Sequence, residues 1–127
     1  MGNRLTTSQK TKEIFEELTA RTNLKPFALS KIAIALSLAN EEPIETYEID
    51  KSEGLQLHRQ TVTAQYDAIY KALMEQHANK SLDDDEYFPK HTKLHLDRGA
   101  EILKNKYNYS KNLENFINQM IKGDMQI

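Results

Sequence analysis

The 127-residue sequence contains no cysteine and no tryptophan. Without cysteine there can be no disulfide, no thiolate nucleophile and no zinc ribbon, a composition that suits a reducing compartment. No apolar run approaches the roughly 18 residues that a membrane span needs. Residues 1–7 lack the hydrophobic centre of a signal peptide. The expectation is therefore a cytoplasmic protein without a membrane partner. The chain also lacks a Gly-rich phosphate loop, a Ser-His-Asp arrangement and paired carboxylates in an apolar setting. No catalytic residue, no metal and no cofactor is expected.

Apolar residues make up 39% of the chain and charged residues 28%. A chain of this length forms one domain, 1–127, with a modest core, and assembly would help it bury its apolar helix faces. The net charge of −2 argues at first against a polyanionic partner, but its distribution does not. Residues 1–40 carry six Lys or Arg against three Glu, a net of +3, and residues 87–127 are also +3. The acids concentrate in 41–53, at −5, and in 81–86, at −4. For gripping phosphates, the charge of a patch matters more than the charge of the whole.

Residues 3–7 fit a short strand that ends at a helix cap, with Thr7 or Ser8 as N-cap. Helix one runs to about Arg21, with Ile14, Phe15 and Leu18 on one face. Asn23 suits a left-handed turn, and Pro26 suits the first turn of helix two, 26–39. Helix two is apolar almost all round, interrupted by Ser30, Lys31 and Ser37, which points to a subunit interface.

The acidic stretch 41–53 reads as a linker, and Leu55 and Leu57, alternating with Gln56 and His58, permit a second extended piece. Helix three is expected from near Thr63, with the stripe Tyr66, Ile69, Tyr70, Leu73 and Met74. Residues 79–85 form a second linker whose acids cap helix four, 86–106. Ser110 would cap a helix five with the stripe Leu113, Phe116, Ile117, Met120 and Ile121, so that 54–122 supplies the further helices.

The expected fold is mostly α, a compact helical domain with a short N-terminal strand. Its first part, 1–40, is strand, helix, helix, the ribbon-helix-helix pattern. There, strands from two subunits pair into a ribbon whose outward side chains reach the DNA groove or its phosphates. Arg4 and Thr6 would face outward together. Lys10, Lys12, Arg21, Lys25 and Lys31 are the further candidates for phosphate contact, chosen for charge and for lying in the +3 segment. The plainer alternative for each is a solvated surface cation. His91 and His95 stand at i and i+4, a spacing that can bind metal, but no third ligand accompanies them, so a packed His95 is the expectation. The run Asp83-Asp84-Asp85-Glu86 lacks the alternation and glycine of a calcium loop and reads as a helix start.

Three blocks resemble the DndE family. They are Arg21-Thr22-Asn23-Leu24-Lys25-Pro26 continuing into Ser30 to Leu38; Gly54 to Asp67, with Arg59-Gln60-Thr61; and Leu94-His95-Leu96-Asp97-Arg98-Gly99. Their order and spacing hold from about residue 3 to residue 104, roughly four-fifths of the chain. The chain departs from the usual family pattern at Asn23, where glycine is common, at Asp97, where asparagine is common, and at Gln56, where glutamate is common.

The resemblance implies an accessory role in bacterial DNA phosphorothioation, in which sulfur replaces a non-bridging phosphate oxygen, and with it a place in restriction–modification and phage defence. It implies a homotetramer that binds double-stranded DNA, preferring nicked duplex. It implies partners too: a cysteine desulfurase that mobilises sulfur, an iron–sulfur protein related to adenylylsulfate reductases, and an ATPase. The alternative from another class is a ribbon-helix-helix repressor or antitoxin that reads one operator with Arg4 and Thr6. A third is a scaffold that recruits the ATPase without touching DNA.

Overall fold

The computed structural model describes residues 2–110 together with 115, 117 and 118. A three-residue strand, β1 (Arg4–Thr6), leads into α1 (Gln9–Thr22) and α2 (Pro26–Ala39). Ser8 caps α1, its hydroxyl accepting from the Thr11 amide, and Asn23 ends the helix in the left-handed region at φ 64°. Both residues act through local chemistry. A short polar side chain satisfies a free amide at one end. At the other, an asparagine tolerates a conformation that most L-residues avoid.

A connector containing a single 3-10 turn, Ile44–Thr46, crosses to β2 (Gln56–His58). Ile44 is buried and anchors the connector. β2 pairs with β1 antiparallel, with Arg4 opposite His58, Leu5 opposite Leu57 and Thr6 opposite Gln56. The strand–helix–helix start is therefore present, but its two-stranded ribbon is closed within one chain rather than between two subunits.

Past β2 the chain is broken into a four-residue α3 (Arg59–Val62) and a 3-10 turn, Ala64–Tyr66, before α4 (Asp67–Ala78). Helix three thus begins later than Thr63, because Ala64 adopts a positive φ of 49° and interrupts the spiral. Asp83 then caps α5 (Asp84–Glu86) in a reciprocal capping box with Glu86. The chain continues as a π-helical stretch, Tyr87–Thr92, and then as α6 (Lys93–Ser110). Pro89 sits inside this run, and the wider spiral accommodates a residue that cannot donate to the regular ladder. Helix four is therefore longer than expected and takes in Ser110, and the residues that Ser110 would cap, 111–114, lie outside the described residues. Most of the expected helix five stripe, Leu113, Phe116, Met120 and Ile121, lies outside the described residues; Ile117 is described and is exposed.

α2 is the centre of the fold and packs most extensively on α6. At the crossing, Gly99 lets the helices approach so closely that a Cβ there would lie 1.8 Å from the Ala33 carbonyl oxygen. Phe15, Leu18, Leu29, Ile34, Leu36, Leu96 and Leu103 fill the space between α1, α2 and α6. Each fully buried side chain of this size is worth about 1.5–3 kcal/mol relative to exposure. The nearly uniform apolarity of α2 is thus explained mostly within the chain. Ser30 and Ser37 do not form a polar side: both are buried, and Ser30 returns its hydroxyl to the Pro26 carbonyl at 2.7 Å.

The α4 stripe behaves differently. Met74 enters the core, Tyr70 is half-buried, and Tyr66, Ile69 and Leu73 are exposed. With Ala35 and Leu38 of α2 they line an apolar groove of about 420 Å³.

Candidate nucleic-acid interface

The strand pair has two chemically distinct faces. Leu5 and Leu57 point inward from opposed positions, so the alternation of the pleat sends Arg4, Thr6, Gln56 and His58 outward. Arg4 and His58, directly opposite one another, line a recess of about 470 Å³ with Asn3, Arg59, Gln60, Ala64 and Asp67. Ala64 holds its left-handed backbone at the wall of this recess. Such strain costs of order 1–2 kcal/mol for a residue with a Cβ.

The walls of the recess are set by Arg59. Its guanidinium donates to Asp67 Oδ2 at 2.6 Å and to the Gly2 carbonyl at 3.2 Å, and stands 5.0 Å from the centre of the Tyr87 ring. The hydrogen bond to Asp67 raises the Arg59 pKa further. Burial pushes the Asp67 carboxyl up, but hydrogen bonds from Arg59, Thr63 and Tyr87 outweigh it and leave the group below its ordinary value. Arg59 is consequently a pin that joins the N-terminus to α3 and α4, and Asp67 adds no uncompensated negative charge. Arg4 makes no ion pair among the described residues and is exposed.

The other five cations separate. Lys10 donates to Glu101 at 2.5 Å, which raises its pKa, and it borders a groove with Glu48 and Asp50. Lys12, two residues on, lies about 200° round α1 from Lys10 and is half-buried. Arg21 and Lys25 flank the Asn23 turn, both exposed, at the tip of the α1–α2 hairpin. Lys31 is half-buried with its ammonium 5.8 Å from the centre of the Phe27 ring. The candidates thus sit at the strand pair, on two flanks of α1 and around the hairpin tip. Arg21 and Lys25 flank one turn, and Lys10 is engaged by a carboxylate. His58 and Gln60 join Arg4 through a pairing between residues more than fifty positions apart, which no local pattern announces. The only signal was the alternation at 55–59.

Behind these surfaces lies a buried polar core. Arg98, 7% exposed, fans over the end of α2: Nε donates to Ser37 Oγ at 2.8 Å, and the terminal nitrogens donate to the Ser37 and Glu42 carbonyls at 2.8 and 2.7 Å. It satisfies carbonyls that a helix end leaves free. Its partners are thus the end of α2 and the start of the connector that follows it. Ser37 Oγ accepts from Arg98 Nε and lies 2.8 Å from His95 Nδ1, so one hydroxyl links the buried guanidinium to the buried imidazole. Burial lowers the His95 pKa to about 2 and also lowers that of His91. Asp97 accepts from the Ser8 amide and the Thr11 hydroxyl, and Lys93 lies against its other oxygen. Among the described residues, no three His, Asp or Glu side chains converge in a way that could hold a metal ion. No described helix is long and apolar enough to cross a membrane.

Comparison with known proteins agrees with this architecture. The family described as DNA sulphur modification protein DndE matches residues 4–111. The crystal structure of DndE from Escherichia coli B7A, involved in DNA phosphorothioation modification, superposes with a TM-score of 0.62 at 20% identity, covering 80% of this chain and 94% of that one. A DndE G21/24K mutant involved in DNA phosphorothioation superposes with the same score and identity, covering 81% of this chain and 97% of its own. None of the curated proteins matches the chain.

Proposed function

Because the chain belongs to the DndE family of DNA phosphorothioation proteins, we propose that it is a non-catalytic component that binds double-stranded DNA, nicked duplex above all, and holds it for the sulfur-inserting partners. Those partners are an iron–sulfur protein and an ATPase of the same system, and the setting is the cytoplasm. The observation that carries the proposal is the outward presentation of Arg4 on the strand pair and of Arg21 and Lys25 at the hairpin tip, none with an ion pair among the described residues. Cations held on rigid elements and left unpaired are what phosphate contact requires. Lys12 and Lys31 add to this set from the flanks, and Lys10 joins only by leaving Glu101.

Assembly belongs to the same proposal. Tyr66, Ile69 and Leu73, at 52%, 58% and 43% exposure, form an apolar face that one chain leaves uncovered, and a homotetramer would cover it.

The repressor alternative is less well supported. Its reading head is a ribbon formed by two chains, whereas β1 already has β2 as its partner. Binding to intact and singly nicked duplexes of random sequence separates the two. The proposal expects binding without an operator and tighter on the nicked duplex. A repressor would favour one sequence by roughly 10³-fold or more over random DNA. No binding to any duplex leaves a scaffold for the partner proteins.

A further inference from the structure

The recess beside the strand pair has a property that a flat basic patch lacks. Arg4 and His58 approach it from two strands at opposed register positions. Opposed Cα atoms in an antiparallel pair are about 4.5–5.5 Å apart, so both side chains can reach one small anion from different sides. Asn3 and Gln60 add amide groups to the same lining. Among the described residues, no hydrogen bond or ion pair engages the side chains of Asn3, Arg4, His58 or Gln60. The carboxylate in the wall, Asp67, is held by Arg59, Thr63 and Tyr87 and does not oppose an incoming anion. Strain at Ala64, φ 49°, falls on the same wall, as it does where a backbone is shaped around a site.

We infer that this recess is a receptor for a phosphate monoester at the end of a DNA strand, with Arg4 and His58 as its principal donors. The inference rests on the DNA-binding proposal above and goes beyond it by assigning the chemical group that is recognised. An internal phosphodiester carries one charge and a sugar on each side, so it meets a protein along a surface. A terminal monoester carries about −1.5 to −2 charge near neutral pH, presents three acceptor oxygens and is tethered on one side only. It can therefore enter a recess, where the Arg4 guanidinium and an imidazole N–H divide its oxygens between them. Free nucleotides carry the same group, and the recess is large enough for more than a bare phosphate.

The test compares three singly nicked duplexes of one sequence: with a 5′-phosphate at the nick, with a 3′-phosphate, and with hydroxyls on both sides. Affinities are measured by fluorescence anisotropy for the native protein, Arg4→Gln and His58→Ala. A 5′-mononucleotide is titrated as a competitor. The expected result is about tenfold tighter binding to one of the two phosphorylated nicks than to the hydroxyl nick, the size of a charge-assisted hydrogen bond. That ratio should fall to near one in both variants, and the mononucleotide should compete only at far higher concentration. Equal affinity for all three nicks overturns the inference while leaving DNA binding intact. A ratio that persists in both variants places the phosphate elsewhere and also overturns it. A mononucleotide that binds as tightly as the phosphorylated nick makes this a nucleotide site and overturns the strand-end assignment. Failure to bind any duplex overturns the DNA-binding proposal and this inference together.

Discussion

Asp97 on α6 accepts a hydrogen bond from the backbone amide of Ser8 at 3.0 Å, across 89 positions of sequence. The same oxygen accepts from the Thr11 hydroxyl at 2.7 Å, and Lys93 neutralises the other. A carboxylate from a distant helix thus completes the cap of α1 where Ser8 alone reaches only the Thr11 amide. Asp97 is 3% exposed, and the Lys93 side chain 13%. Replacing Asp97 with alanine strands two buried donors and leaves the partly buried Lys93 ammonium with the Asp50 carbonyl but without its carboxylate. We expect Asp97→Ala to cost about 3–4 kcal/mol in urea unfolding. Asp97→Asn, which keeps an acceptor and loses the charge, should cost about 1 kcal/mol.

The α2–α6 crossing gives the sharpest steric prediction. Gly99→Ala puts a methyl group 1.8 Å from a backbone oxygen that no rotamer change can move. The helices must separate, and overpacking of this kind costs typically 1–3 kcal/mol or more. A Tm unchanged from the native protein would show that the crossing is looser than the geometry requires.

Acid should destabilise the fold above the carboxylate range. His91 and His95 are held neutral by burial, with pKa values below the roughly 6.5 of an unfolded chain. The unfolded state then binds more protons, so stability is complete above about pH 6.5 and falls as pH drops, by up to roughly 1.4 kcal/mol per pH unit for each imidazole. Asp67 and Glu101, whose pKa values are lowered, lose their contribution only below about pH 4. The interval between about 4.5 and 6.5 therefore reports on the histidines. Among the described residues, His91 has no hydrogen-bond partner at either nitrogen. His91→Leu should raise stability by about 1 kcal/mol at pH 7 and flatten the acid slope, read from urea midpoints against pH.

The proposed assembly through the α2–α4 groove should be breakable without touching the core. Ile69 is 58% exposed in the single chain, so Ile69→Glu should change monomer stability by no more than about 0.5 kcal/mol. Sedimentation should show the native chain as an oligomer and the variant as a smaller species with the same circular dichroism. An identical sedimentation coefficient for both would place the interface elsewhere.

Which of these features could be read from the sequence follows from how far apart the interacting residues are. Ser8, Asn23, Pro26 and the Asp83–Glu86 box act within one helical turn, so residue type alone narrows the first cap to Thr7 or Ser8, marks Asn23 and Pro26, and reads Asp83–Glu86 as a helix start, though not as a reciprocal box. The pairing of Arg4 with His58 and the reach of Asp97 to Ser8 join distant segments that no window contains. Periodicity identified the α4 stripe correctly as apolar but could not say what covers it, and only Met74 proved to be core. Ser37 looked like an interruption in α2 and is instead the acceptor for a buried arginine. Segment charge singles out the six cations, but only the fold shows that Lys10 is bound by Glu101 while Arg4 faces a recess.

On the proposed function, Arg4 on the strand pair and Arg21 and Lys25 at the hairpin tip grip DNA phosphates. The most direct test of this reading is the salt dependence of binding to a nicked duplex, for the native protein and for an Arg4→Ala, Arg21→Ala, Lys25→Ala triple variant. Each neutralised phosphate adds about −0.9 to the slope of log affinity against log salt. The predicted result is a native slope of about −2.7 or steeper and a variant slope shallower by about 2.7. A native slope near zero, or the same slope in both proteins, would contradict it.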